Sequence, residues 1–173
     1  MTPPPRVIVL LGVAGSGKTT VGRALAARLG WAFEDADDHH AAAAVRKMAR
    51  GIGLTDADRA PWLDRLAGLI RQRAEGGPPT VLACSALKAR YRDTLRAGRD
   101  DVAFVWLDVP PDALAARLHE RAGHVAGPDL LPSQLAAFEA PDDALRLDGT
   151  LAVDELAEAA ARALGLSTGT AEA

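Results

Sequence analysis

The segment Gly12-Val13-Ala14-Gly15-Ser16-Gly17-Lys18-Thr19 constrains this chain more than any other. It follows the apolar run Val7 to Leu11 and precedes a helical pattern carrying Val21, Leu25 and Leu29. Strand, glycine-rich loop and helix are the order that a phosphate-binding P-loop requires. Glycines let successive backbone N–H groups curl around phosphate oxygens with no Cβ in the way. The following helix start adds unpaired N–H groups and the positive end of its dipole. Lys18 offers a mobile point charge to the β- and γ-phosphates, and the Thr19 hydroxyl can ligate Mg²⁺. The expected nucleotide contacts are therefore Gly12, Val13, Ala14, Gly15, Ser16, Gly17, Lys18, Thr19 and Thr20. A glycine-rich turn with a chance lysine would not be expected in this context.

The rest of the chain alternates the same two element types. Trp31 to Phe33, Thr80 to Cys84, Val102 to Leu107 and Ala144 to Leu147 read as further strands. Helical patterns cover Ala41 to Arg50, a stretch capped by Thr55 or Asp56 and carrying Trp62, Leu66 and Ile70, and a basic segment around Arg90 to Arg96. A helix opened by Pro110 and Pro111 follows, then a short one over Ser133 to Ala140 and a closing one over Ala152 to Leu164. Alternation without repeats means an α/β domain with a mainly parallel sheet. Ligands bind outside the carboxyl ends of such strands, and the polar clusters fall there.

Those clusters supply the remaining chemistry. Asp35 and Asp37 lie two apart just after a strand and can take different parts. One can hold a metal-bound water while the other accepts a proton from an attacking hydroxyl; a solvated acidic turn capping the next helix is the bland alternative. His39 and His40 are adjacent and do not share a face, which argues against a transition-metal site and for contact with substrate. Lys88, Arg90 and Arg92 follow the central strand end and can bind an anionic group, as can Arg59; Tyr91 and Trp62 read as packing. Arg117 and Arg121, four apart, share a helix face beside a glycine-containing loop with His124. Such a pair looks like part of a lid over residues 122–133 that neutralises transition-state charge on the phosphates.

Composition removes other classes. The net charge of -3 does not indicate a basic nucleic-acid surface, and one cysteine, Cys84, excludes an intrachain disulfide or a cysteine-rich zinc site. No signal peptide or membrane-length apolar run is visible, so a cytoplasmic protein is expected. Nothing matches the Asn-Lys-x-Asp guanine motif of GTPases, and no apolar strand ends in the Asp-Glu pair of motor ATPases. The 173 residues favour one domain, 1–166, with a flexible tail at 167–173. The residues by themselves thus predict a small Mg²⁺–ATP kinase acting on an anionic polyol or a nucleotide.

A more specific likeness lies in longer stretches: Trp31-Ala32-Phe33-Glu34-Asp35-Ala36-Asp37-Asp38-His39-His40, Lys47-Met48-Ala49-Arg50-Gly51-Ile52, Leu54-Thr55-Asp56-Ala57-Asp58-Arg59 and Leu82-Ala83-Cys84-Ser85-Ala86-Leu87-Lys88. With Tyr91-Arg92-Asp93, Gly123-His124 and Ser133-Gln134, these resemble the small P-loop gluconokinases, relatives of shikimate and nucleoside monophosphate kinases. The resemblance implies a P-loop NTPase three-layer α/β fold with a five-stranded parallel sheet, a short lid and commonly a homodimer. It implies ATP-dependent phosphorylation of D-gluconate with Mg²⁺; a kinase of another small acid or nucleotide, or a non-catalytic nucleotide-binding regulator, are the alternatives. By that likeness Thr19 and Asp35 sit on the metal, and Lys18, Asp37, Arg117 and Arg121 are catalytic. Asp37, His40, Arg59, Lys88, Arg92 and His124 meet the substrate. The chain departs from the family pattern at Ala41 and Gly53, where the family has proline, and at Val125-Ala126-Gly127 in the lid.

Overall fold

The strand that carries the glycine loop is also the centre of the sheet. The computed structural model describes residues 3–121 and 130–167. In it β1 (Val7–Leu11) is buried along its whole length and pairs in parallel with β3 (Thr80–Ala83) and β4 (Val102–Asp108). β2 (Ala32–Asp35) and β5 (Leu145–Asp148) form the edges, and the sheet order is β2-β3-β1-β4-β5, parallel throughout. A strand covered on both faces must be apolar at every position, which Val-Ile-Val-Leu-Leu is.

Side chains of a strand alternate between faces, so β1 feeds two cores. Val7, Val9 and Leu11 meet Trp62, Leu66 and Ile70 of α3 (Asp56–Ala74) and Leu95 of α4 (Ala89–Arg96). Ile8 and Leu10 meet Val21 and Leu25 of α1 (Lys18–Leu29) and Leu156 and Ala160 of α7 (Val153–Ala163). A third cluster joins Val13 of the loop to Leu114 and Leu118 of α5 (Pro111–Glu120) and Leu131 of α6 (Leu131–Ala137). The third cluster fastens the P-loop from below. Gly22 allows the closest approach of helix to sheet: a Cβ there would lie 2.7 Å from the Phe33 ring.

Several element boundaries differ from the sequence expectation, and the shifts near the site have tertiary reasons. Trp31 belongs to the closing turn of α1, where its N–H donates to the Ala26 carbonyl. β2 therefore begins at Ala32 and runs on through Glu34 and Asp35, because an edge strand is held by main-chain pairing with β3, not by apolar side chains. Asp37 follows the strand in a 3-10 turn, Ala36–His39, capped by the Asp35 carboxylate. α6 spans Leu131–Ala137 and stops short of Ala140, since the Glu139 N–H is drawn to the Leu87 carbonyl. α2 (Ala42–Ala49) and α3 form a hairpin after the acidic turn, and Thr55 caps α3 through a reciprocal pair of bonds with Asp58. Among the described residues no helix is long and apolar enough to cross a membrane. His124 and the lid positions 122–129 lie outside the described residues, as do 168–173 of the expected tail.

Candidate active site

Backbone conformation makes the phosphate cradle. Gly12, Gly15 and Gly17 adopt φ of +151°, +84° and +92°, which side-chain-bearing residues rarely hold. At Gly12 a Cβ would also stand 2.7 Å from Ser16 Oγ. Lys18 and Thr19 then open α1, so the helix start points at the loop. The Lys18 ammonium curls back to the Val13 carbonyl at 3.1 Å. Burial lowers its pKa, opposed by the negative charges of Asp37 and Asp35.

The acidic turn after β2 meets this loop. Thr19 Oγ1 donates to Asp35 Oδ2 at 2.7 Å, and the other Asp35 oxygen accepts the Asp37 N–H at 3.0 Å. The Asp37 carboxyl is 82% exposed but lies in the cleft, where loss of bulk water and the neighbouring Asp35 raise its pKa; Lys18 opposes the rise. The two aspartates thus have different environments: Asp35 is bonded on both oxygens, Asp37 is open. Cys84 lies at the end of β3 behind them, and burial pushes its thiol up to about 12, so it is an inert core group.

Several residues that fix the turn carry no motif signal. His40 stacks on Trp62 with ring centroids 4.4 Å apart, and the Trp62 indole N–H donates to the Ala36 carbonyl at 2.7 Å. The Arg65 guanidinium forks onto the His39 carbonyl at 3.0 and 2.7 Å. His40 Nε2 faces Asp37 Oδ1 at 3.7 Å. Burial, then Arg59 and Arg65, lower the His40 pKa to about 4, so the imidazole is neutral at physiological pH. Trp62 is core, as its spacing predicts, and is also a brace for the acidic turn. A search of the sequence for titratable residues passes over Trp62 and Arg65. Only their positions one turn apart on a helix following the acidic stretch could have flagged them.

The basic residues separate into two groups. Lys88 and Arg59 lie together: Lys88 bonds Asp56 at 3.2 Å, and both cations lie over the Tyr91 ring, at 5.8 and 5.7 Å from its centroid. Arg92 does not join them. Arg92 is 6% exposed, and its guanidinium donates to the carbonyls of Ala86 at 2.8 Å, Leu87 at 3.2 Å and Glu139 at 2.8 Å. Arg92, expected from the sequence to meet substrate, directs these donors at main-chain carbonyls. The loop it holds needs holding: Ala86 sits at φ +42°.

Arg117 and Arg121 do share a face and line one cavity of about 220 Å³ with Ser16, Gly17, Thr20 and Gly149. Arg117 bonds the carbonyls of Gly15 at 3.3 Å and Gly149 at 2.8 Å, so it ties the P-loop to the turn after β5. The charge of Arg121 is felt at Lys18. On the other side, the Ala14 N–H donates to the Gln134 side-chain oxygen at 2.7 Å, bringing α6 to the loop.

A parallel sheet in this order, with a glycine loop on its central strand and an acidic turn meeting Lys18 and Thr19, defines a P-loop kinase. An AAA domain family model matches residues 7–141, and the gluconokinase of Gluconobacter oxydans (strain 621H) is 49% identical over 139 residues, 80% of this chain and 78% of that protein. The chain belongs to the gluconokinase family. Solved structures agree: an unliganded sugar kinase from Janibacter sp. HTCC2649 superposes with a TM-score of 0.87 at 43% identity, covering 94% of this chain and 96% of the other. A gluconokinase from Sinorhizobium meliloti 1021 follows at 0.82 and 38%, covering 94% and 92%.

Proposed function

We propose that this protein transfers the γ-phosphoryl group of ATP to the 6-hydroxyl of D-gluconate, giving 6-phosphogluconate and ADP. The observation that carries this reading is the meeting of the P-loop with the acidic turn, Thr19 Oγ1 on Asp35 Oδ2 at 2.7 Å with Asp37 open beside Lys18. The gluconokinase relatives supply the acceptor's identity.

In this reading the backbone N–H groups of Gly12 to Thr20 hold the phosphates, and Lys18 and Arg121 offset charge developing on the transferred group. Asp37 accepts the proton of the 6-hydroxyl as its oxygen bonds to the γ-phosphorus and the bond to the β-phosphate oxygen breaks. Neutral His40 faces Asp37 and the acceptor, and Arg59 and Lys88 meet the acid end. Arg117 keeps the P-loop in shape. Thr19 and Asp35 are the protein groups for Mg²⁺. One hydroxyl and one carboxylate suit a cation that keeps waters and substrate phosphate oxygens as most of its ligands. When bound, Mg²⁺ offsets phosphate charge. Residues 1–166 act as one kinase domain in the cytoplasm, with 122–133 as a lid, and the family likeness supports a homodimer, which light scattering on the purified protein tests.

The deciding experiment is an ATP-coupled assay across gluconate, other aldonates, shikimate and nucleoside monophosphates. Gluconate is expected to give the highest kcat/KM. No turnover of gluconate with clear turnover of another acid would overturn the substrate; ATP binding with no turnover would overturn the enzyme.

A further inference from the structure

The acceptor side already contains a carboxylate. Asp56, the first residue of α3, places one oxygen against Lys88 Nζ at 3.2 Å and the Tyr91 hydroxyl, and the other against Lys88 Nζ at 3.5 Å and the Arg90 guanidinium. Three cations, Arg59, Lys88 and Arg90, stand 5.6–5.8 Å from the centre of the same Tyr91 ring. One carboxylate therefore sits among three positive charges and a phenol. The Tyr91 hydroxyl, then Arg90, then Lys88 hold its pKa well below the usual carboxylate range.

This cluster adjoins the acceptor base. Arg59 is close enough to His40 to depress its pKa, and His40 faces Asp37 at 3.7 Å. Lys88 follows the strand end next to the acidic turn. An acid whose terminal hydroxyl rests at Asp37 and whose carboxylate reaches the Lys88–Arg90 cluster would compete there with Asp56. The elements that hold Asp56 are also unlike those that hold Asp35. Asp56 is 46% exposed and Arg90 59% exposed, so water and ligand can reach both.

We propose that Asp56 is an internal occupant of the carboxylate site formed by Lys88, Arg90 and Tyr91, and that the substrate's carboxylate must displace it. Asp56 thereby sets the affinity for the acid and is the specificity-determining residue of the α2–α3 hairpin. The inference rests on the gluconate kinase reading. Exchange of one carboxylate for another couples substrate binding to release of the α3 N-terminus from α4.

The test is steady-state kinetics of Asp56→Asn, Asp56→Glu and Arg90→Ala beside the wild-type enzyme. Loss of an exposed competing ion pair should lower the KM for gluconate in Asp56→Asn by roughly 2- to 5-fold with kcat within about 1.5-fold. Asp56→Glu should restore the wild-type KM. Arg90→Ala should raise KM and erase the gain from Asp56→Asn in the double variant. D-Glucitol, which has the hydroxyls and no carboxylate, should inhibit wild type and Asp56→Asn with the same Ki. A raised KM in Asp56→Asn would show that Asp56 orients the cations instead, and an unchanged KM would show a plain surface ion pair; either overturns the proposal. An equal gain for glucitol would attribute the effect to a looser hairpin and also overturn it. If wild type fails to turn over gluconate, the functional reading fails first, and that result is separate from any difference among the variants.

Discussion

Two aspartates two residues apart have been given opposite environments. Asp35 is held by Thr19 and the Asp37 N–H, while Asp37 faces the cleft with its pKa raised by lost hydration and by Asp35. A base must be ionised to accept a proton, so kcat/KM falls as pH falls through its pKa. The acid limb of kcat/KM should therefore lie above the ordinary aspartate value of 3.8. Asp37→Asn should cut kcat by ~10²–10⁴-fold, the usual size of general-base loss, while thermal stability rises slightly, since a carboxyl whose folded pKa is raised is disfavoured as an anion at neutral pH. A fall in ATP affinity alone would make Asp37 a binding residue. Lys18→Ala should leave the fold intact and abolish turnover, measured by phosphate transfer with circular dichroism as the control. His40 offers a stability test of the opposite sign. Its folded pKa of about 4 lies below the ordinary 6.5, so the unfolded chain binds more protons between those values, and stability rises with pH across that window. Between pH 6.5 and 4.5 the wild type should lose on the order of 2 kcal/mol more than His40→Gln in urea unfolding; equal losses would show that the imidazole is not held neutral.

At the scale of elements, the site depends on parts that never touch substrate. The loop after β3 carries Lys88 and holds Ala86 at positive φ; Arg92 and the main chain of Glu139 keep it so. Arg92→Met removes three charge-assisted bonds and takes from the buried Ala86 carbonyl its partner, while the Leu87 carbonyl keeps the Glu139 N–H. A cost of about 3 kcal/mol is expected, read as a lowered urea midpoint, with kcat per folded molecule reduced far less than in Asp37→Asn. The 3-10 turn is joined to α3 in the same manner, by the Trp62 indole on Ala36, the His40 stack and the Arg65 fork. α3 is thus bound to the acceptor base at its middle and to the cation cluster at its start. Movement of that helix start would be felt at both.

For the whole molecule, the cradle, the acidic turn and the cavity beside Arg121 come from five separate segments brought to one end of the sheet. Binding of nucleotide to the folded chain alone adds RT ln(1 + [L]/Kd), about 2.7 kcal/mol at a hundredfold excess over Kd. MgATP should accordingly raise Tm by several degrees, less in the presence of a chelator, and Lys18→Ala should lose most of the shift. An equal shift in that variant would place the nucleotide elsewhere.

The sequence by itself determined the donor half and the fold class. A glycine loop between an apolar strand and a helix is a local pattern, and strand–helix alternation leaves few alternatives to a parallel sheet. It also marked Asp35, Asp37 and Lys88, because polar residues after apolar runs fall at the carboxyl ends of strands, and Arg59 as a cation opening a helix. Only the tertiary structure decided which basic residues face the cleft. Arg92 and Lys88 are both cations in one basic stretch, yet one is turned to buried carbonyls and the other to a carboxylate. Arg117 and Arg121 share a face, yet Arg117 ties down the loop. β2 continued into Glu34 and Asp35 because main-chain pairing holds an edge strand whatever its side chains. Composition and spacing report which groups a chain owns; direction is set by long-range hydrogen bonds, which no local pattern records.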